Sequence, residues 1–474
     1  MNLLKKFLQY AVGNGLVFIV GLISTPLITR LIMPEEMGKF SMFNSAVNLI
    51  IIFGLVGLDQ SFVRYFYEEE EKSRAILLKR VTNIALIIGL VVCGSIAVFQ
   101  KSVSEFLVGE WSKVFIACLI GYLLFSILNK FAVLNIRMQQ RAVLYSVANT
   151  VLKLTYLIFA VLLYVKLGNH YITLVAASTL SMIVTTLLAV AFDWKSWFTK
   201  NREKIKVTTK ELLTYGFPFI FSMSLTWIFQ TADKLFIREI CGYTELGLYS
   251  GAMNIVTILN TCQAMFTTFW VPVAYERLTI DPDAKKFYVK INKIVTVVMM
   301  VLAIGMIACK DLIILLLGSQ YKKAVYIFPY LVFMPIMYTI SETTVMGINF
   351  SKKTAYHIYV GLISAAANII GNAILVPLFG AVGAAISTGL SYVVFFAVRT
   401  YFSKNFYPVE YPIKRIAIST ISVYVVALYA SFNSFNIMIV GLSVGAVAVI
   451  CFLYRDILAQ GYTLIKEKMN KQRA

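Results

Sequence analysis

Uncharged apolar stretches of bilayer-spanning length recur from one end of the chain to the other, and nothing else in the sequence constrains the fold as strongly. VTNIALIIGLVVCGSIAVF (81–99) is one such stretch. About 20 apolar residues, rising ~1.5 Å each in a helix, cover the roughly 30 Å of bilayer hydrocarbon. Lipid offers no hydrogen bonds to an open backbone, so only helices and closed barrels cross it. A barrel would alternate apolar and polar residues in segments of about ten, and that alternation is absent. Of 474 residues 59% are hydrophobic and 14% charged, against about 45–50% and 25% in soluble domains. The expectation is an all-α polytopic membrane protein.

Hydropathy windows place spans near 8–30, 40–58, 82–100, 113–134, 144–165 and 172–193. A second set lies near 212–236, 247–270, 291–310, 325–348, 357–378 and 383–400, and a last pair near 415–432 and 436–454. That makes about fourteen, with both termini on one side. Lys and Arg decide which side, because cytoplasmic loops collect them. The face shared by the termini holds 31 of the 43 basic residues and the opposite face ten, with Lys130 and Lys153 inside spans. Both termini are therefore expected in the cytoplasm of a bacterial or archaeal plasma membrane. The net charge of +20 then records topology and contact with anionic headgroups, and no nucleic-acid partner is expected. The start MNLLKKFLQY runs on without a small-x-small cleavage site, so it reads as a retained span. Six cysteines form no CxxC pair and read as buried free thiols, and two histidines cannot build a zinc site alone.

The chain repeats itself. EMGKFS (36–41) recurs as ELGLYS (245–250), and at the same offset of 209 the AST of VAASTLS meets the IST of AAISTGL. The expected organisation is an N-lobe (1–198), a cytoplasmic linker (199–211), a C-lobe (212–407) and a C-terminal pair of helices with a tail (408–474). Paired halves of this kind place a transport site at their interface.

With the repeat recognised, longer stretches resemble a known family. PLITRLIMPEEMGKFS with GLVGLDQSFVRYFYEEE, DKLFIREICGYTELGLYSGA, LLLGSQYKKA and FGAVGAAISTG resemble the polysaccharide-exporter branch of the multidrug/oligosaccharidyl-lipid/polysaccharide flippase superfamily, the Wzx-type flippases of O-antigen and capsule repeat units. The resemblance implies two pseudo-symmetric lobes in a V around a central cavity. It implies transfer of an undecaprenyl-pyrophosphate-linked oligosaccharide from the inner to the outer leaflet by alternating access. The polymerase and glycosyltransferases of such a pathway are implied partners. Lipid II flippases share the fold, and their two extra C-terminal helices help form a groove for the lipid tail.

An anionic, hydrated headgroup needs a wet, cation-lined path. One cation about 4 Å from a phosphate is worth roughly 4 kcal/mol at an effective dielectric near 20. Trp227, Gln230, Lys234 and Arg238 share one helical stripe beside Asp233, which faces either a cavity or the outer interface. Lys153, with Asn149 on its stripe, lies too deep to snorkel easily. Arg30 and Arg64 sit near span ends, where a cavity and interfacial anchoring are both open; the family's habit of lining the lumen with basic residues favours the former. No Walker A pattern is present, so no nucleotide cofactor is expected. Moving about two negative charges outward gains roughly 4–5 kcal/mol per 100 mV of inside-negative potential. In lipid II flippases a sodium site draws on positions corresponding to Asp233, Asn368, Asn372 and Thr388, although Asn372 stands where a carboxylate would strengthen it. Glu342 is the alternative, a proton carrier. No other metal is expected. Competing readings are a lipid II or sporulation-type flippase, a multidrug antiporter of the same superfamily, and a membrane polymerase or ligase. The last lacks a sizeable outer loop with a catalytic constellation.

Overall fold

A computed structural model of the chain describes residues 3–198, 205–281, 284–353, 355–460 and 463. Residues 199–204 of the expected linker, nearly all of the tail beyond 460 and the side chain of Cys262 lie outside the described residues.

Every regular element among the described residues is helical. The first six membrane-length helices are α1 (Leu3–Leu31), α2 (Pro34–Leu55), α3 (Arg74–Val98), α4 (Lys113–Met138), α5 (Ala142–Leu167) and α6 (Tyr171–Phe192). Two later helical stretches, Thr209–Ile280 and Ala355–Phe406, each turn at a glycine: Gly242 (φ 83°, ψ −177°) and Gly380 (φ 58°, ψ −137°). Side chains avoid that region, so only glycine continues the chain there without strain. These turns separate α7 (209–241) from α8 (243–280), and α11 (355–379) from α12 (381–406). Between and after them run α9 (Lys285–Ala308), α10 (Ala324–Thr344), α13 (Ile413–Ala430) and α14 (Ile437–Leu453). The described residues thus hold fourteen apolar helices, α1 and α14 having the shorter apolar stretches.

Local chemistry sets the ends. Pro34 opens α2 with Glu35 and Glu36 in the first turn, a fixed φ and two negative charges where the helix dipole is positive. Thr208 and Glu211 form a reciprocal capping box before α7: Thr208 N donates to Glu211 Oε2 at 2.7 Å and Glu211 N to Thr208 Oγ1 at 3.2 Å. His170 and Asn436 cap α6 and α14 by accepting from Ile172 N and Ile439 N.

Two compact units divide the chain, 1–234 and 235–474. The boundary falls inside α7, within the run that the sequence reading assigns to the C-lobe. Packing explains why. Gly216 of α7 lies so close to Gly57 that a Cβ on it would stand 2.8 Å from Gly57 backbone atoms. Ser61 Oγ donates to Leu212 O at 2.6 Å, and Val207 and Leu212 enter the core formed by Leu58, Phe62, Leu77 and Phe131. In the second unit, Trp270, Tyr288, Met346 and Val409 form a core at one helix end. Away from that core α11 and α12 approach closely: Ser387 leaves no room for a Cβ on Gly371, and Ser387 Oγ donates to Asn368 O at 2.8 Å. Small residues of this kind let helices pack where lipid supplies no hydrophobic drive.

The repeat is physical. Glu36 Oε2 accepts from Tyr171 N, the start of α6, at 2.6 Å. Each of these positions plus 209 gives Glu245 and Gly380, and Glu245 Oε2 lies 3.7 Å from where a Cβ on Gly380 would stand. The corresponding glutamate thus lies beside the corresponding helix start in the second unit.

Candidate functional site

Lys153 is the twelfth residue of the 26 in α5, midway through a membrane-length helix. Val143, Val147, Leu154, Ile158, Leu162 and Val165 form the exposed apolar row of this helix. At about 100° per residue, Lys153 lies roughly 120° around from the centre of that row. It is exposed there, between half-buried Asn149 and Tyr156. Tyr156 stacks on Phe40 of α2 at 6.2 Å, and Asn149 Nδ2 donates to Tyr145 O at 3.0 Å.

α7 repeats the pattern. Phe217, Phe221 and Ile228 make its exposed apolar row. Trp227, Gln230 and Lys234 lie on a stripe about a third of a turn away. Gln230 is exposed and Lys234 half-buried. Trp227 does not stand free: its Nε1 donates to Ser45 O of α2 at 2.9 Å. Both polar stripes therefore border α2, at positions five residues and about 7.5 Å apart along it. α5 is also the least buried of the long apolar helices among the described residues.

The remaining expected cations divide. Arg30 is exposed in the last turn of α1. Arg64 is exposed at the end of the short helix Leu58–Tyr65, where it pairs with Glu68. Arg238 is buried and pairs with Glu239. Lys130, the other lysine counted inside a span, reaches Asp59 at 3.4 Å; Asp59 is 2% exposed and also accepts from Gln60 Nε2.

Asp233 is buried in the last turn of the first unit. Asn368, Asn372 and Thr388 are buried together in the second, with Asn372 Nδ2 donating to Asn368 Oδ1 at 3.1 Å and Thr388 Oγ1 3.4 Å from Tyr249 OH. Among the described residues no group of three or more His, Cys, Asp or Glu gathers to hold a metal ion. Glu342 does not stand alone. Its Oε1 accepts from Arg399 Nη1 at 2.7 Å, and its backbone carbonyl from Trp270 Nε1 at 3.0 Å. Sequence reasoning missed this pair, because Arg399 near the end of a span counts naturally as a loop charge. The signal lay in its spacing: at i, i+4 from Phe395, Arg399 places its guanidinium 5.2 Å from that ring.

Residues 3–276, more than half of the chain, match the family of polysaccharide biosynthesis proteins. The chain is 22% identical over 436 residues to a probable low-salt glycan biosynthesis flippase, Agl15, of Haloferax volcanii, covering 90% of this chain and 87% of that protein. Its fold is similar to the lipid II flippase MurJ in an inward closed conformation, at a TM-score of 0.71 and 16% identity over 95% of this chain and 99% of that one. An inward-facing multidrug resistance transporter of the MATE family and MOP superfamily aligns at 0.57 and 14% identity, over 84% and 93%.

Proposed function

We propose, for a chain that belongs to the polysaccharide biosynthesis protein family, that it is a transporter carrying lipid-linked oligosaccharide across the membrane. The cargo is an oligosaccharide on undecaprenyl pyrophosphate, taken from the cytoplasmic to the outer leaflet by alternating access and delivered to a polymerase. The similarity to a probable glycan flippase over nine-tenths of the chain supports a flippase rather than an enzyme.

One observation carries the reading. In the first unit, lysines stand well inside two membrane-length helices, turned about a third of a turn from the exposed apolar rows of those helices. A charge at mid-bilayer costs roughly 2.5–3.5 kcal/mol on insertion scales, and such residues ordinarily face a wet path. Lys153 and Lys234 would offset desolvation of the pyrophosphate, while Asn149, Gln230 and Trp227 meet sugar hydroxyls and faces. Membrane potential drives export of the negative headgroup, and ion exchange resets the empty carrier, for which the buried Asn368, Asn372 and Thr388 cluster of the second unit and, separately, the buried Asp233 of the first are the candidate residues.

The test is reconstitution in proteoliposomes loaded on one leaflet with undecaprenyl-pyrophosphate oligosaccharide. An added glycosidase reads how much sugar reaches the other leaflet. Protein-dependent transfer that follows an imposed potential is expected. Transfer no faster than in protein-free vesicles refutes the proposal, and transfer of lipid II alone redirects it to a peptidoglycan precursor.

A further inference from the structure

Away from the membrane lysines, the second unit holds a pocket of 590 Å³ where the first turns of α9, the chain before α13 and the residues after α14 meet. Its charged lining is Lys285, Lys286, Lys290, Lys293, Glu410 and Asp456. Lys286, Lys290 and Lys293 follow the i, i+4, i+7 spacing of one helix face, so three ammonium groups repel one another within two turns. Asp456 relieves only part of this. Its Oδ2 accepts from Lys293 Nζ at 2.6 Å and its Oδ1 from Arg415 Nη1 at 2.9 Å, so the carboxylate is already occupied. Burial pushes its pKa up, but the bonds and charges of Lys293 and Arg415 outweigh this and hold it below the ordinary carboxylate value. Counting the lining alone, four lysines face two carboxylates, and Lys286 and Lys290 are exposed to the pocket mouth.

We infer that this pocket binds a phosphate-bearing anion at the membrane surface, the phosphate seated between Lys286, Lys290 and Lys285. The surroundings favour the headgroup of an anionic phospholipid. Exposed Val444, Val449 and Phe452 run along α14 toward the rim at Asp456 and Ile457. That leaves an apolar track for acyl chains beside a basic seat for the head. A cluster of lysines just outside the hydrocarbon is the arrangement by which anionic lipids are held. The site lies within one unit and does not depend on the carrier reading.

Native mass spectrometry of the detergent-purified full chain tests it, with cardiolipin, phosphatidylcholine and inorganic pyrophosphate as separate probes. Cardiolipin is expected to bind at least tenfold more tightly than phosphatidylcholine. The Lys286→Gln/Lys290→Gln variant should lose that preference about tenfold, while Lys404→Gln/Lys414→Gln, another exposed basic pair outside the pocket, keeps it. Competition by pyrophosphate at equal strength keeps the phosphate site but assigns a soluble ligand. Cardiolipin preference undiminished in the first variant, or lost equally in the second, overturns the inference. Thermal unfolding of both variants separates lost binding from lost folding.

Discussion

Arg399 and Glu342 form a fully enclosed ion pair between α12 and α10, Nη1 to Oε1 at 2.7 Å, with Arg399 6% and Glu342 4% exposed. Nη1 also donates to Ser341 Oγ at 2.8 Å, and the guanidinium lies 5.4 Å from the Tyr338 ring. The pair ties α12 to α10 within the second unit. Removing one partner of such a pair costs about 3–5 kcal/mol, whereas replacing both by apolar residues is often neutral. Arg399→Ala is therefore expected to lower the melting temperature markedly, and Arg399→Met/Glu342→Met to restore most of it. A single variant that unfolds like the parent would show the tie to be idle.

Lys153→Ala should reduce transport at least tenfold with insertion and melting temperature unchanged. Recovering only a third of the roughly 4 kcal/mol available to a cation near a phosphate already gives that factor. Lys153→Arg should keep most activity. Full transport by the alanine variant in the glycosidase assay removes Lys153 from the path.

At Lys234 the sign of the charge is decisive. Lys234→Arg should transport within a few-fold of the parent, and Lys234→Glu should not transport at a measurable rate. Matching initial rates for the two would dissociate Lys234 from the headgroup.

Gly216 has no space for a side chain against the Gly57 backbone. Gly216→Leu must push the two segments apart, at about 1–3 kcal/mol for overpacking, and break the bond from Ser61 to Leu212. Faster hydrogen exchange over 205–216 is expected; an unchanged pattern there would mean that the contact is not formed in solution.

Asp456 gives a pH signature. Its folded pKa lies below its ordinary 3.8, so its contribution is fully present above that value and is lost as pH falls through the lower folded value. The side chain is 38% exposed, which makes the contribution small and sensitive to salt. The melting-temperature gap between the parent and Asp456→Asn should hold between about pH 5 and 7 and narrow as pH falls below 3.8. No gap at pH 7 in low salt would contradict the ion pairs with Lys293 and Arg415.

The spans were legible because the length of an apolar run is fixed by bilayer thickness, and the repeat because EMGKFS and ELGLYS stand at the same offset as the two helix starts at Tyr171 and Gly380. Lys153 stood out through depth alone. What hydropathy could not show was anything decided by close backbone approach or by tertiary partners. Gly216 looks like any glycine in an apolar helix until Gly57 is set against it, and that contact draws the first limb of α7 into the first unit. Arg399 reads as a membrane-end charge until Glu342, 57 positions earlier, is seen beside it. Trp227 joined a polar stripe by spacing, yet its indole is fastened to α2.

Glu36 and Glu245 occupy matching positions but do not keep the same company. Lys39 stands 3.4 Å from Glu36, while the corresponding position in the other copy is Leu248. The two copies of the motif therefore differ electrically at the very place where their sequences look most alike.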